Sequence, residues 1–540
     1  MTNHTFDFIV VGAGSSGATV ATRLSERISG SVLLLEAGAP RQDDFWVKVP
    51  IGIAKILNNP RYVWQFKTEA QASLGGRQIY WPRGLLPGGS SSVNGMIYAR
   101  GEPAEYDLWR DHGNVGWGYG DLLPYFRKME STVMGEDEYR GRNGPIHITA
   151  LAQTPNDLSE AFIEACQQAG IPATPDYNGR QYEGVGYLQL STRRGQRCST
   201  AVGYLKNRPP NLCLQTEAVV HRVIFKGKRA IAVEYMRGGE IYRVSARNEV
   251  ILAAGPIKTP QILELSGVGN AQHLQNLGVP VIHHLPGVGE NLIDHLQSRM
   301  TFACTKGITL NDILTSRVRQ AAMGAQYLLT RRGPMSASSA SVHALARTCE
   351  RERRPSVKIQ LHHLSGLGRY TSAKKGYGLD DFPGFSIGFF QLRPESRGHL
   401  HCRSTDPAEA PVIDPRYLDK DCDREIMVEA IRLARKVSQQ SAMMSFIERE
   451  TRPGAAIVSD EELLQYVRDS GETSWHPVGT CKMGVDDMAV VDPSLRVYGL
   501  EGLRVVDSSI MPTMPSSNTN SASIMIGEKA ADMILQAAGN

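Results

Sequence analysis

The apolar positions change period twice within the first forty residues. Phe6 to Val11 is a short apolar run closing on Ile9, Val10 and Val11, the pattern of a strand buried on both faces. From Ser15 onward, Ala18, Ala21 and Leu24 recur at helical spacing, and Ser31 to Leu35 is a second buried strand. The pattern predicts strand, tight loop, helix, strand: a βαβ unit. Farther along, Asn248 to Gly255 and Leu503 to Asp507 read as strands that end in small or acidic residues. Val357 to Leu364 and Pro383 to Leu400 read as strands of a separate antiparallel sheet. Asp423 to Gln439, with Ile426, Ala430, Leu433 and Val437 on one face, reads as a helix.

The loop inside the βαβ unit is GAGSSG, Gly12 to Gly17. Gly12 permits a tight turn, Gly14 lets the backbone approach a pyrophosphate, and Gly17 lets helix and strand pack closely. The helix that follows offers unbonded N–H groups and the positive end of its dipole to phosphates. Glu36 closes the second strand 19 residues after Gly17. A carboxylate there accepts from a ribose 2′-OH and repels a 2′-phosphate, which argues against NADP. The motif alone does not separate NAD from FAD.

Composition narrows the picture. At 540 residues the chain is too long for one ordinary core, so two or more domains are expected. A net charge of +4, with no long basic run, gives no case for nucleic acid. The first residues show no signal-peptide pattern, and no run of 18 apolar residues predicts a transmembrane helix. The expected compartment is the cytoplasm, with peripheral contact at the inner membrane left open. The eight cysteines are scattered without a CxxC pair, against both a zinc ribbon and a disulfide scaffold. His283-His284 and His362-His363 put neighbours on opposite faces of a strand, and nothing near His399 and His401 in sequence completes a metal site. No metal is expected.

Four motifs together resemble the glucose–methanol–choline (GMC) oxidoreductases, most closely the bacterial FAD-dependent alcohol and choline dehydrogenase branch. They are GAGSSG with Glu36; PRGLLPGGSSSVNGMIYARG, Pro82 to Gly101; GPIKTPQILELSGVG, Gly255 to Gly269; and WHPVGTCKMG, Trp475 to Gly484, with the tail from Val505. The resemblance spans essentially the whole chain. It implies an α/β fold: a discontinuous Rossmann-like FAD-binding domain with an inserted α+β substrate domain on an antiparallel sheet. The expected boundaries are 1–150, 200–305 and 465–540 for the FAD domain, and 151–199 and 306–464 for the substrate domain. One departure is Leu85-Leu86-Pro87, where relatives carry a basic and an aliphatic residue before the double glycine; Pro87 removes an N–H donor. Some relatives bond FAD to a histidine where Val93 stands, so the FAD is expected to be non-covalent.

By the same resemblance, the cofactor contacts fall on Gly12, Gly14, Ser15, Ser16, Gly17, Glu36, Gly89, Ser90, Asn94, Gly95, Met96, Val219, Asp507, Ser508, Asn518 and Thr519. Flavin-dependent alcohol oxidation needs a base for the hydroxyl proton and a donor to the developing alkoxide. His476 is the expected base and Asn520 its hydrogen-bond partner, with Asn518 expected to point elsewhere. The expected activity is oxidation of a primary alcohol, with hydride passing to flavin N5. The electron acceptor is left open among a quinone, a dye-like acceptor and oxygen. The alternative is a flavin-containing lyase of the same family that cleaves cyanohydrins without net redox. Gly366 to Asp381, rich in glycine, is expected to form a lid over the substrate.

Overall fold

The computed structural model describes residues 5–153, 156–366 and 378–539. The expected lid falls mostly on 367–377, outside the described residues.

Two seven-stranded sheets organise the molecule. In the first, Leu212–Gln215, Val32–Leu35, Thr5–Val11 and Glu240–Leu252 lie side by side and parallel. Leu503–Val505 pairs in parallel with the last residues of Glu240–Leu252. The first half of that long strand instead pairs antiparallel with Arg229–Arg237, and Val219–Lys226 follows at the edge. Ile9, Val10, Val32, Leu34, Val250, Ile251 and Leu252 are wholly buried, as the continuous apolar runs require. The parallel strands end at Val11, Leu35, Leu252 and Val505 on one edge, where open α/β sheets hold their ligands.

The second sheet is antiparallel, in the order Ile447–Arg452, Leu296–Cys304, Gly384–Gln391, Val357–His362, Ala340–Ala346, Gly184–Tyr187. Val357, Ile359 and Leu361 share an apolar core with Met427, Ile431 and Ala434 of the helix Asp421–Ser438. Alternation therefore turns Lys358, Gln360 and His362 to the opposite face, and all three are buried there. A strand whose two faces are apolar and polar, and both buried, has something polar to meet on its second side.

Two expectations need correction. Leu296–Cys304, placed with the FAD domain by the expected boundaries, is the second strand of the antiparallel sheet, and Glu472–Thr473 pairs with it. Apolar alternation gives a strand its period and not its sheet. The strand expected over Pro383 to Leu400 is two: Gly384–Gln391 stays in the large sheet, and His399–His401 pairs with Val412–Asp414. Pro394 between them has no N–H for a ladder. Among the described residues, no helix is long and apolar enough to cross a membrane.

Candidate active site

One cleft runs along the carboxyl edge of the parallel sheet to His476 and Asn518, and Asn518 in turn meets Lys358 on the polar face of the second sheet. Gly12, Gly14, Ser15, Ser16, Glu36, Gly89, Ser90, Asn94, Gly95, Met96, Val219, Asp507, Ser508, Asn518, Thr519, Asn520 and His476 all line it. Of the expected contact residues only Gly17 does not. It sits one turn into the helix Ser15–Ser25, where a Cβ would fall 1.8 Å from the Gly12 carbonyl oxygen. Its missing side chain serves the close packing of this helix against the glycine loop and Ala253.

The cleft fits a dinucleotide by its own construction. The helix N-terminus at Gly14 carries no side-chain cap, so its N–H groups stay available to an anion. The double glycine comes close enough that a Cβ on Gly89 would lie 2.7 Å from the Gly14 Cα, while a Cβ on Gly14 itself would meet only Gly89, at 4.0 Å. Glu36 accepts from the N–H of Ala13 at 2.9 Å and of Gly38 at 2.8 Å, and burial still pushes its carboxyl up to about 7. Asp507 accepts from Gly255 N–H and the Thr259 hydroxyl at 2.9 and 2.6 Å, which ties the helix Gly255–Leu265 to the last strand. Pro87 is accommodated: Gly88 N–H bonds the Ala13 carbonyl at 2.8 Å and Gly89 N–H the Leu86 carbonyl at 2.8 Å. Arg197, buried and without signal in the sequence, donates to the Asn94 carbonyl and Oδ1 at 2.7 and 2.8 Å and so fixes the loop beneath the cleft.

At the far end lies a chain of five groups. His295 Nε2 is 3.0 Å from the Leu392 carbonyl oxygen, His295 Nδ1 is 2.9 Å from His476 Nδ1, and His476 Nε2 is 2.9 Å from Asn518 Nδ2. Lys358 Nζ completes it, 2.9 Å from Asn518 Oδ1. The two ends fix every proton between them. A carbonyl only accepts, so His295 Nε2 donates; burial lowers the His295 pKa to about 4, so the ring is neutral and its Nδ1 accepts. His476 Nδ1 must then donate, which leaves the lone pair of neutral His476 on Nε2. From the other end, the lysine donates to Asn518 Oδ1, so Nδ2 points at that lone pair. The two derivations agree. The backbone is held as firmly: His476 N–H donates to Asp294 at 2.8 Å, and Asp294 also accepts from Thr473 and from the Tyr417 hydroxyl. Trp475, just before, is left-handed with φ 63°, a conformation rare outside glycine.

The structure separates the expected pair. His476 stands in the chain, but the amide facing it is Asn518. Asn520 is the first residue of the helix Asn520–Ala537, and its Oδ1 accepts from the Ser15 hydroxyl at 2.7 Å. The expectation assumed an extended segment up to Asn520; the helix begins there instead and turns that side chain toward the glycine loop. Lys358, His295 and Asp294 were missed. A lysine alternating with Val357 and Ile359 in an otherwise buried strand was the available signal for the first. His295 and Asp294 carry no local pattern.

The reading of His401 also changes. The fold brings Glu264 within 2.7 Å of His401 Nδ1 and Glu290 within 3.1 Å of Nε2, with His273 beside them. Sequence proximity could not show this, since the partners lie more than a hundred residues away. Both ring nitrogens face carboxylates, and these hydrogen bonds raise the pKa to about 9 against the cost of burial. The group is an imidazolium bridge between two acids.

Comparison with known proteins identifies the family and the fold. Two family models described as GMC oxidoreductase match residues 6–297 and 394–527. The oxygen-dependent choline dehydrogenase of Vibrio vulnificus (strain YJ016) is 42% identical over 535 residues, covering 98% of this chain and 94% of that one. That of Escherichia coli (strain K12) is 43% identical, covering 98% and 95%. Among solved structures, pyridoxine 4-oxidase from Mesorbium loti superposes with a TM-score of 0.87 at 30% identity, over 99% of both chains. A formate oxidase variant of Aspergillus oryzae RIB40, studied for its FAD modification, gives 0.91 at 26% identity over the full length of both.

Proposed function

Because this chain belongs to the GMC oxidoreductase family and is an FAD-dependent oxidoreductase acting on CH–OH donors, we propose that it oxidises a primary alcohol with His476 as base and Asn518 as hydrogen-bond partner. The observation that carries this reading is the hydrogen-bonded chain from Leu392 through His295, His476 and Asn518 to Lys358. FAD bound in the cleft supplies the hydride acceptor for the alcohol carbon. The hydroxyl displaces the direct bond between His476 Nε2 and Asn518 Nδ2, donating to the first and accepting from the second. Nε2 takes the proton, and the charge that builds on the imidazole is relieved through Nδ1–H to His295. The Asn518 amide, which does not titrate, stabilises the alkoxide as it develops.

The cofactor is held without a covalent bond on this reading, because Val93 lines the cleft and has no atom to form one. The curated relatives named above are choline dehydrogenases, so choline belongs in the substrate panel. The carboxylates lining the cleft, however, are Glu36 and Asp507, and both are already occupied at the strand ends. The test is anaerobic mixing with a panel of alcohols while the flavin absorbance is followed. Bleaching by a primary alcohol, and its loss in His476→Ala that still carries flavin, is the expected result. A protein that keeps its flavin and is bleached by no alcohol, while cleaving a cyanohydrin, would overturn it in favour of lyase chemistry. Air added afterwards, against a dye, distinguishes oxygen from other acceptors.

A further inference from the structure

Resting on that reading, we propose that Lys358 makes this a site that favours uncharged alcohols over quaternary-ammonium alcohols. Lys358 lies on Val357–His362 in the middle of the antiparallel sheet and is 0% exposed. Its Nζ bonds Asn518 Oδ1 at 2.9 Å and stands 5.7 Å from the centre of the Phe390 ring. Phe390 in turn meets both histidines, tilted at 4.5 Å from His295 and edge-on at 5.9 Å from His476. The cation is thus one amide away from the oxygen being oxidised.

Among the described residues no carboxylate pairs with Lys358, and residues 367–377 contain none. The titratable groups facing it are His343 from Ala340–Ala346, His295 from just before Leu296–Cys304, and His476 across Asn518. His343 is wholly buried, its ring against Tyr177 and neither nitrogen hydrogen-bonded, and burial holds it neutral. Among the described residues, no negatively charged side chain acts on Lys358. A trimethylammonium group bound next to the reacting hydroxyl would meet an uncompensated like charge. Unit charges about 8 Å apart at an effective dielectric of about 20 discriminate by roughly thirtyfold. Lys358 touches neither substrate nor flavin in this account; it is a positioning residue that also sets the sign of the field.

The test uses two alcohols of one shape. Choline and 3,3-dimethylbutan-1-ol differ by nitrogen for carbon, so a misplaced Asn518 lowers kcat/KM for both and cancels in their ratio. The flavin-loaded wild type should favour the neutral alcohol by roughly thirtyfold at pH 6. Burial lowers the Lys358 pKa to about 7, so the preference should be present below that pH and fade above it. Lys358→Met should bring the ratio close to unity at every pH, and Lys358→Arg, which keeps the charge, should preserve it through pH 9. The equilibrium inhibition constant of tetramethylammonium should fall in Lys358→Met alone. A wild type that uses choline as well as its neutral isostere overturns the proposal even if neither variant folds. So does a Lys358→Met ratio equal to the wild-type one. Failure of every alcohol to bleach the flavin would instead strike the alcohol-oxidising reading itself.

Discussion

Replacing His295 by phenylalanine isolates the proton relay. The ring is retained, so the contact with Phe390 survives, but the acceptor 2.9 Å from His476 Nδ1 is gone. A buried donor without a partner costs about 1–3 kcal/mol. That cost falls hardest on the imidazolium formed as the hydroxyl proton arrives, because its Nδ1–H is then charge-assisted. Spread over the barrier, it corresponds to roughly a 5- to 150-fold loss in the rate of flavin reduction. The sign on pH is also set. A hydrogen bond that favours the protonated form raises a pKa, so its removal lowers the His476 ionisation, by about one unit for each 1.36 kcal/mol. The assay is stopped-flow flavin reduction under anaerobic conditions from pH 5 to 10. His295→Phe should show a lower plateau, with its alkaline rise displaced toward acid. His295→Gln offers a carbonyl to Nδ1–H and an amide N–H toward Leu392, and should recover part of both. A His295→Phe enzyme with the wild-type plateau and the wild-type midpoint would refute the relay and leave His476 oriented by something else.

Asn518→Ala removes a donor to the developing alkoxide and should slow flavin reduction by about 2–4 kcal/mol, whereas Asn520→Ala, which loses only the Ser15 bond, should leave the single-turnover rate within a few-fold; the same stopped-flow traces distinguish them. The folded-state pKa of His401 is raised to about 9, so its contribution is full below the ordinary histidine value of about 6.5 and is lost as pH rises through 9. Denaturant titrations should therefore show up to about 3 kcal/mol less stability at pH 9.5 than at pH 6, and His401→Phe should remove that slope. Gly89→Ala places a Cβ against the Gly14 backbone at a φ of 50°, so it should abolish flavin retention on a desalting column while leaving the circular dichroism close to wild type.

The parallel sheet was legible because its strands are buried on both faces and announce themselves as apolar runs, and the glycine loop because its spacing is tied to a phosphate's size. His476 was legible through the motif around it. Asn518 was not: choosing between two asparagines separated by one residue depends on where a helix begins, and Thr519 gives that helix no side-chain cap to mark its start. Lys358 and His295 depend on which strands lie opposite each other, a property of pairings between segments a hundred residues apart. The Glu264–His401–Glu290 bridge escaped for the same reason.

The first loop and the last helix of the chain are halves of one structure. Ser15 bonds Asn520, Ser16 bonds the Ser523 carbonyl, and Arg23 pairs with Glu528. The first of these contacts spans 505 residues of sequence. On a ribosome adding roughly 5–20 residues per second, the glycine loop is made on the order of 25 to 100 seconds before its partner emerges. During that interval the nascent chain has a nucleotide loop with one wall missing and His476 and Asn518 not yet synthesised. Flavin loading therefore waits for the helix Asn520–Ala537, and a chain that lacks this helix is expected to lose its cofactor on a desalting column, however much of the sheet it has built.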